Sequence, residues 1–136
     1  AAVPGAADDP HNVGASAAQK DVGRQLGNCR SAFARNRFRD ALVACAAAVT
    51  ANPRSAEALT MMAHAELNLG HLGRAGELAT KAIAIDPGIA DAYVIVGGVH
   101  QDSGQNNQAK IAYRRYLQLA PRGRYADELR SIVNSL

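Results

Sequence analysis

From about Asp21 onward, small and apolar residues recur three or four positions apart, the spacing that lays one apolar stripe along an α-helix. The runs are short and follow one another closely. In KAIAIDPGIADAY, residues 81–93, a helical run stops at Asp86-Pro87 and another begins at once. RRYLQLAP, residues 114–121, ends the same way 34 residues later. Proline lacks the N–H that would continue a helix, and its fixed φ suits the start of the next element. These sites therefore read as joints between helices. The last run, RYADELRSIVNSL, sets Tyr125, Leu129, Ile132, Val133 and Leu136 on one stripe. Asp127, Glu128, Arg130 and Asn134 lie opposite, which predicts one more amphipathic helix.

The joints are periodic. Pro53, Pro87 and Pro121 are 34 residues apart, as are Ala41, Ala75 and Ala109, then Asn36, Gly70 and Gly104, and Val49, Ile83 and Leu117. Such a period predicts an α-solenoid of stacked helical hairpins. The expected fold is all-α: three antiparallel hairpins over residues 22–55, 56–89 and 90–123, closed by a capping helix over 124–136. A cap with a polar outer side is expected because the last hairpin otherwise exposes its apolar face. Gly70 and Gly104 fall where the turn between two helices needs a left-handed residue, and Asn36 is among the few alternatives that tolerate that region. The alanine column lets the helices of each hairpin approach closely. Residues 1–19, AAVPGAADDPHNVGASAAQ, hold almost no large apolar side chain and read as a flexible tether to an upstream folded neighbour, with a trimmed tail as the alternative.

MMAHAELNLGHLGRAGELATKAIAIDP (61–87) and VGGVHQDSGQNNQAKIAYRRYLQLAP (96–121) resemble the tetratricopeptide repeat (TPR). Val96-Gly97 fills the Leu-Gly place of that pattern, with Met62-Ala63 one repeat earlier. Ala75, Ala79, Ala82 and Pro87, then Ala109, Tyr113, Tyr116 and Pro121, fill the second-helix places. The first repeat departs, with Gln25 and Asn28 where large apolar residues are expected.

Composition supports helices and excludes much chemistry. The 136 residues are about one domain, 48% hydrophobic but only 4% aromatic, with no tryptophan. Alanine, the best helix former, supplies much of that apolar content, so the core is expected to be built from close helix contacts. No run approaches the ~20 apolar residues of a membrane span, and no signal peptide is visible. The start at Ala1 suggests a fragment or a processed chain, from a larger bacterial protein. A net charge of +3, from 15 Lys and Arg against 12 Asp and Glu, argues only weakly for an anionic partner, and no specific nucleic-acid binding is expected.

Candidate chemistry is sparse. Cys29 and Cys45 fall at facing points of the first hairpin. Two buried thiols are the preferred reading. A disulfide is the alternative, placing the chain in an extracytoplasmic compartment such as the periplasm rather than the cytoplasm. His11, His64, His71 and His100 have no metal-ligand spacing, and no phosphate loop or nucleophile elbow is present. No enzyme, cofactor or metal is expected. Arg30, Arg35, Arg37 and Arg39 cluster about the first turn. They read first as a solvated hairpin end with Phe38 turned inward, and otherwise as a grip for an acidic protein, a phosphorylated segment or an anionic surface.

The resemblance implies that the first helices line a concave groove that holds a peptide. Carried over position by position, the lining is Leu26, Arg30 and Phe33, then Glu57, Thr60, Met61, His64 and Asn68, then Asp91, Val94, Ile95, Gly98, Gln101 and Asp102. In this register Met61 and Ile95 face the solvent-filled groove. Chaperone-binding members grip a C-terminal carboxylate with Lys and Asn at places that hold Leu26, Arg30 and Met61 here, so that docking is not expected. The expected function is a monomeric, non-catalytic interaction module that takes a partner peptide or amphipathic helix. The alternatives are a self-assembly domain and a regulatory domain of a signalling enzyme such as a kinase.

Overall fold

The computed structural model describes the backbone of residues 10–136 and the side chains of residues 17–136. Among these residues there are seven α-helices and no strand: α1 (Pro10–Ala34), α2 (Phe38–Ala51), α3 (Ala56–Asn68), α4 (Leu72–Ile85), α5 (Ala90–Asp102), α6 (Asn106–Leu119) and α7 (Ala126–Ser135). They form the hairpins α1–α2, α3–α4 and α5–α6, with α7 against α6. Successive hairpins touch through α2 and α3, and through α4 and α5. The first helices also meet, α1 with α3 and α3 with α5, whereas α2, α4 and α6 do not meet one another. The stack therefore closes on the side of α1, α3 and α5, which becomes its inner face.

The turn and joint chemistry accounts for this stacking. Asn36, Gly70 and Gly104 have φ of 56°, 83° and 77°. The left-handed residue lets the chain reverse while the orphan carbonyls of the preceding helix are satisfied: His71 N donates to Glu66 O at 2.9 Å and Gln105 N to His100 O at 2.8 Å. At the joints, a proline disfavours helical geometry in the residue before it. Asn52, Asp86 and Ala120 accordingly leave the helix at φ −141°, −136° and −136°. Ala41, Ala75 and Ala109 are fully buried in the first turns of α2, α4 and α6. Gly97 does the same for α5: a Cβ there would overlap the ring of Tyr113 on α6.

Two features differ from the sequence expectation. The first helix begins at Pro10, inside the stretch 1–19 read as a tether. Proline at a first helical position forfeits no hydrogen bond, and the alanines that follow favour the helix without needing a core. Residues 1–9 of that stretch lie outside the described residues. Second, Cys29 and Cys45, preferred as thiols, are joined in a disulfide with Cα atoms 4.5 Å apart. The alanines around the crossing, with Ala41 and Ala48 both buried, bring α1 and α2 within the reach of such a bridge.

The core has two parts. One runs from Cys29 to Ile95 through the first two and a half hairpins. The other gathers Ala109, Tyr113, Tyr116, Ala126 and Leu129, with Tyr125, Ile132, Val133 and Leu136 packed partly buried against it. The stripe on α7 thus covers the end of the last hairpin, as a cap does. Gly123, before α7, has Tyr116 Oη so close that a Cβ would overlap it. That hydroxyl accepts a hydrogen bond from Tyr125 N at 3.2 Å.

Candidate functional site

The inner face is split by an aromatic ladder. Phe33 of α1 meets the ring of His64 of α3 edge-on at 5.0 Å, and Phe38 of α2 stacks behind it at 6.4 Å. On the far side His64 lies 6.3 Å from Tyr125, the residue that leads into α7. At Gly98 a Cβ would stand 3.0 Å from Leu67 Cδ2, so even a methyl group would be crowded there. Burial, with the nearby Arg124 guanidinium adding to it, pushes the His64 imidazole below its usual pKa, and Asp91 opposes that shift. The ring is therefore held neutral among its aromatic neighbours. Burial likewise raises the Tyr125 phenol.

One compartment lies on the α1 side of the ladder, a cleft of about 350 Å³ lined by Arg30, Phe33, Glu57, Thr60, Met61, Ile89, Asp91 and Arg124. Arg30 and Glu57 form a forked pair across α1 and α3, Nε to Oε1 at 2.6 Å and Nη2 to Oε2 at 2.8 Å. The hydrogen bond from Arg30 holds the Glu57 carboxyl below the usual range, against some burial. Asp91 and Arg124 carry no ion pair among the described residues, Arg124 lying 5.1 Å over the Tyr125 ring, so this cleft offers one anionic and one cationic side chain around an apolar floor. The second compartment, about 300 Å³, lies between α5 and α7 and takes in His64, Val94, Gly98, Gln101, Asp102, Glu128 and Ile132. At its edge Tyr113 Oη donates to Gln101 Oε1 at 2.7 Å. Burial, then the charges of Asp102 and Glu128, push that phenol up to about 12, so it stays a donor.

The family profile described as Tetratricopeptide repeat matches residues 56–89 and 90–122, which are the second and third hairpins with their joints. The chain belongs to the tetratricopeptide-repeat family. Solved TPR domains superpose on most of the chain. The Arabidopsis OM64 TPR domain is 20% identical with a TM-score of 0.78, covering 87% of this chain and 98% of that one. The first TPR of Spaghetti (RPAP3), solved with the HSP90 peptide SRMEEVD, is 22% identical with a TM-score of 0.75, covering 85% and 95%. A Thermobaculum terrenum O-GlcNAc transferase mutant is 24% identical with a TM-score of 0.78, covering 85% of this chain but 22% of that one. No match was found among curated protein sequences.

Within this TPR domain the thirteen groove residues and Gly98 expected from sequence do not all play one part. Arg30, Phe33, Glu57, Thr60, Met61 and Asp91 come together in the first compartment. His64, Val94, Ile95, Gly98, Gln101 and Asp102 come together in the second. Leu26 instead packs partly buried on the core, and Asn68 turns its amide back to His64 O at 2.9 Å. The expectation that Met61 and Ile95 face solvent is corrected. Ile95 is fully buried and Met61 is 9% exposed, its sulfur 3.9 Å from Cys29 Sγ. Thr60 is also floor rather than wall, its hydroxyl donating to Ala56 O at 2.7 Å. Inward-facing positions of α3 and α5 are overlaid here by neighbouring first helices and by Tyr125. Sequence reasoning missed Ile89, Arg124 and Tyr125 as lining. The apolar stripe on α7 included Tyr125, but nothing in the sequence shows that its ring crosses to α3.

Proposed function

We propose that this TPR domain is a non-catalytic interaction module that takes a short segment of a partner protein in the cleft between Arg30, Phe33, Asp91 and Arg124. The observation that carries this is the pairing of an apolar floor with two exposed, unpaired and opposite charges, Asp91 and Arg124, on the inner face. Similar TPR domains, such as Spaghetti (RPAP3) and yeast Sti1 TPR2B, are solved with Hsp90 or Hsp70 segments, which supports peptide binding as the general activity. The ligand here is different. Arg30 is already held by Glu57, and the free acid Asp91 repels a terminal carboxylate. A segment bearing one basic and one acidic residue around an apolar side chain suits the cleft better. Tyr125 limits its length, because the ladder closes the path toward α7.

Selection of a random peptide library against the full chain tests this. The expected products lose binding to the double variant Asp91→Lys/Arg124→Glu, which stays folded with at most a small drop in Tm, because both positions are exposed and only a first-turn charge and a ring contact are lost. Selected peptides that bind the double variant as tightly as the wild type overturn the assignment. The peptide SRMEEVD is expected not to bind, and its binding would reinstate the chaperone-docking reading.

A further inference from the structure

The first hairpin carries a feature that neither later repeat shares. Arg35, Arg37 and Arg39 are all exposed around the left-handed turn at Asn36, and none takes part in an ion pair among the described residues. Among the other exposed arginines, Arg24, Arg30, Arg74 and Arg130 pair with Asp21, Glu57, Glu77 and Asp127, whereas Arg54, Arg114, Arg115, Arg122 and Arg124 have no ion pair among the described residues but lie away from the helix-reversing turns. At the equivalent second turn His71 is satisfied by Glu66 at 2.5 Å. The third, from Ser103 to Gln108, carries no charged residue. Positive charge without partners is thus concentrated at one of three like-shaped turns, against the single acid Asp40.

The same turn holds a notch of about 330 Å³ lined by Asn36, Arg37, Phe38, Arg39, Asp40 and Leu69. Phe38 and Leu69 are half-buried, so the floor is apolar, and Arg37 and Arg39 leave its walls net cationic against the one acid Asp40. The disulfide between Cys29 and Cys45 ties together the two helices that present this turn. We infer that the Arg35–Arg39 turn is a second docking surface, separate from the inner cleft, for an acidic polypeptide segment that seats one apolar side chain on Phe38 and Leu69. Carboxylates flanking that side chain meet Arg37 and Arg39, whose planar guanidinium groups suit forked pairing. Charge complementarity favours an acidic segment over a membrane or nucleic acid. The basic charge is local and surrounds a concavity, whereas those partners require it spread along a face.

The probe is a labelled peptide with one leucine between glutamates, followed by fluorescence anisotropy against the full chain. Binding is expected to weaken severalfold between about 50 and about 300 mM salt, as charges shorten their reach. It is expected to fall severalfold to about tenfold in the triple variant Arg35→Ala/Arg37→Ala/Arg39→Ala, since two exposed pairs of ordinary strength at Arg37 and Arg39, with the unpaired attraction of Arg35 beside them, sum to that range. Replacing the leucine by serine is expected to weaken binding again, and Arg54→Ala, an exposed arginine elsewhere, to leave it unchanged. The inner-cleft variant Asp91→Lys/Arg124→Glu is expected to bind the probe normally, so failure here and failure of the cleft reading are distinguishable. Equal binding by the triple variant, or no binding at low salt, overturns the inference. So does arginine-dependent binding to phosphatidylserine vesicles without binding to the peptide.

Discussion

Gly97→Ala tests the packing logic of the repeats more directly than any other change. In an ordinary helix the substitution stabilises by about 1 kcal/mol, because glycine loses more backbone entropy on folding. At Gly97 the new methyl overlaps Cδ1 and Cε1 of Tyr113 and stands 2.9 Å from Cζ. The ring has little freedom to retreat: Tyr113 is 3% exposed and its hydroxyl is bonded to Gln101 at 2.7 Å. Overpacking of this kind costs ~1–3 kcal/mol, and breaking the Tyr113–Gln101 bond costs about 1 kcal/mol more. Setting the propensity gain against both leaves a net loss of ~1–3 kcal/mol, or roughly 4 °C in Tm for each kcal/mol. Urea titration and thermal melting followed by circular dichroism measure it. Gly27→Ala is the matched control: Gly27 lies in α1 with nothing within 4 Å of an added Cβ, so that variant is expected to gain up to about 1 kcal/mol. A Gly97→Ala protein that melts at or above the wild type refutes the close contact between α5 and α6.

Three further outcomes are expected. Thiol titration of the unfolded, unreduced protein should find no free thiol, and reduction should lower stability by about 3 kcal/mol for a loop of this size; two free thiols would remove the bridge from the native protein. Because the folded-state pKa of His64 is depressed, the unfolded chain binds the proton more readily below pH ~6.5, so His64 makes stability fall as pH drops through and below that value. The denaturant midpoint measured from about pH 7.5 to 5.5 should show a decline that is smaller in His64→Gln, and equal declines would refute a buried neutral imidazole. Ile95→Lys should unfold the third repeat rather than merely block a ligand, because it buries an unpaired ammonium; an unchanged melting curve would return Ile95 to the groove wall.

The architecture was legible in the sequence because each repeat meets the same local demands. Asn36, Gly70 and Gly104 advertise left-handed turns, prolines advertise joints, and Ala41, Ala75 and Ala109 advertise close helix crossings, all with one period. These are backbone constraints that a residue type satisfies or does not, so spacing alone locates them. The start of α1 was less legible: the sequence there carries no recurring apolar stripe, and only Pro10 marks the beginning. What lies over a position depends on the neighbouring repeats and cannot be read from periodicity. Ile95 occupies an inward-facing place in its own helix, yet adjacent helices bury it completely. Tyr125 belongs to the cap by its stripe, yet curvature of the stack brings its ring to His64 and divides the inner face. The sequence itself determined the helices, their pairing and their period. The tertiary structure alone decided which inward positions remain open to a ligand, because exposure there depends on how far the stacked hairpins bend toward one another.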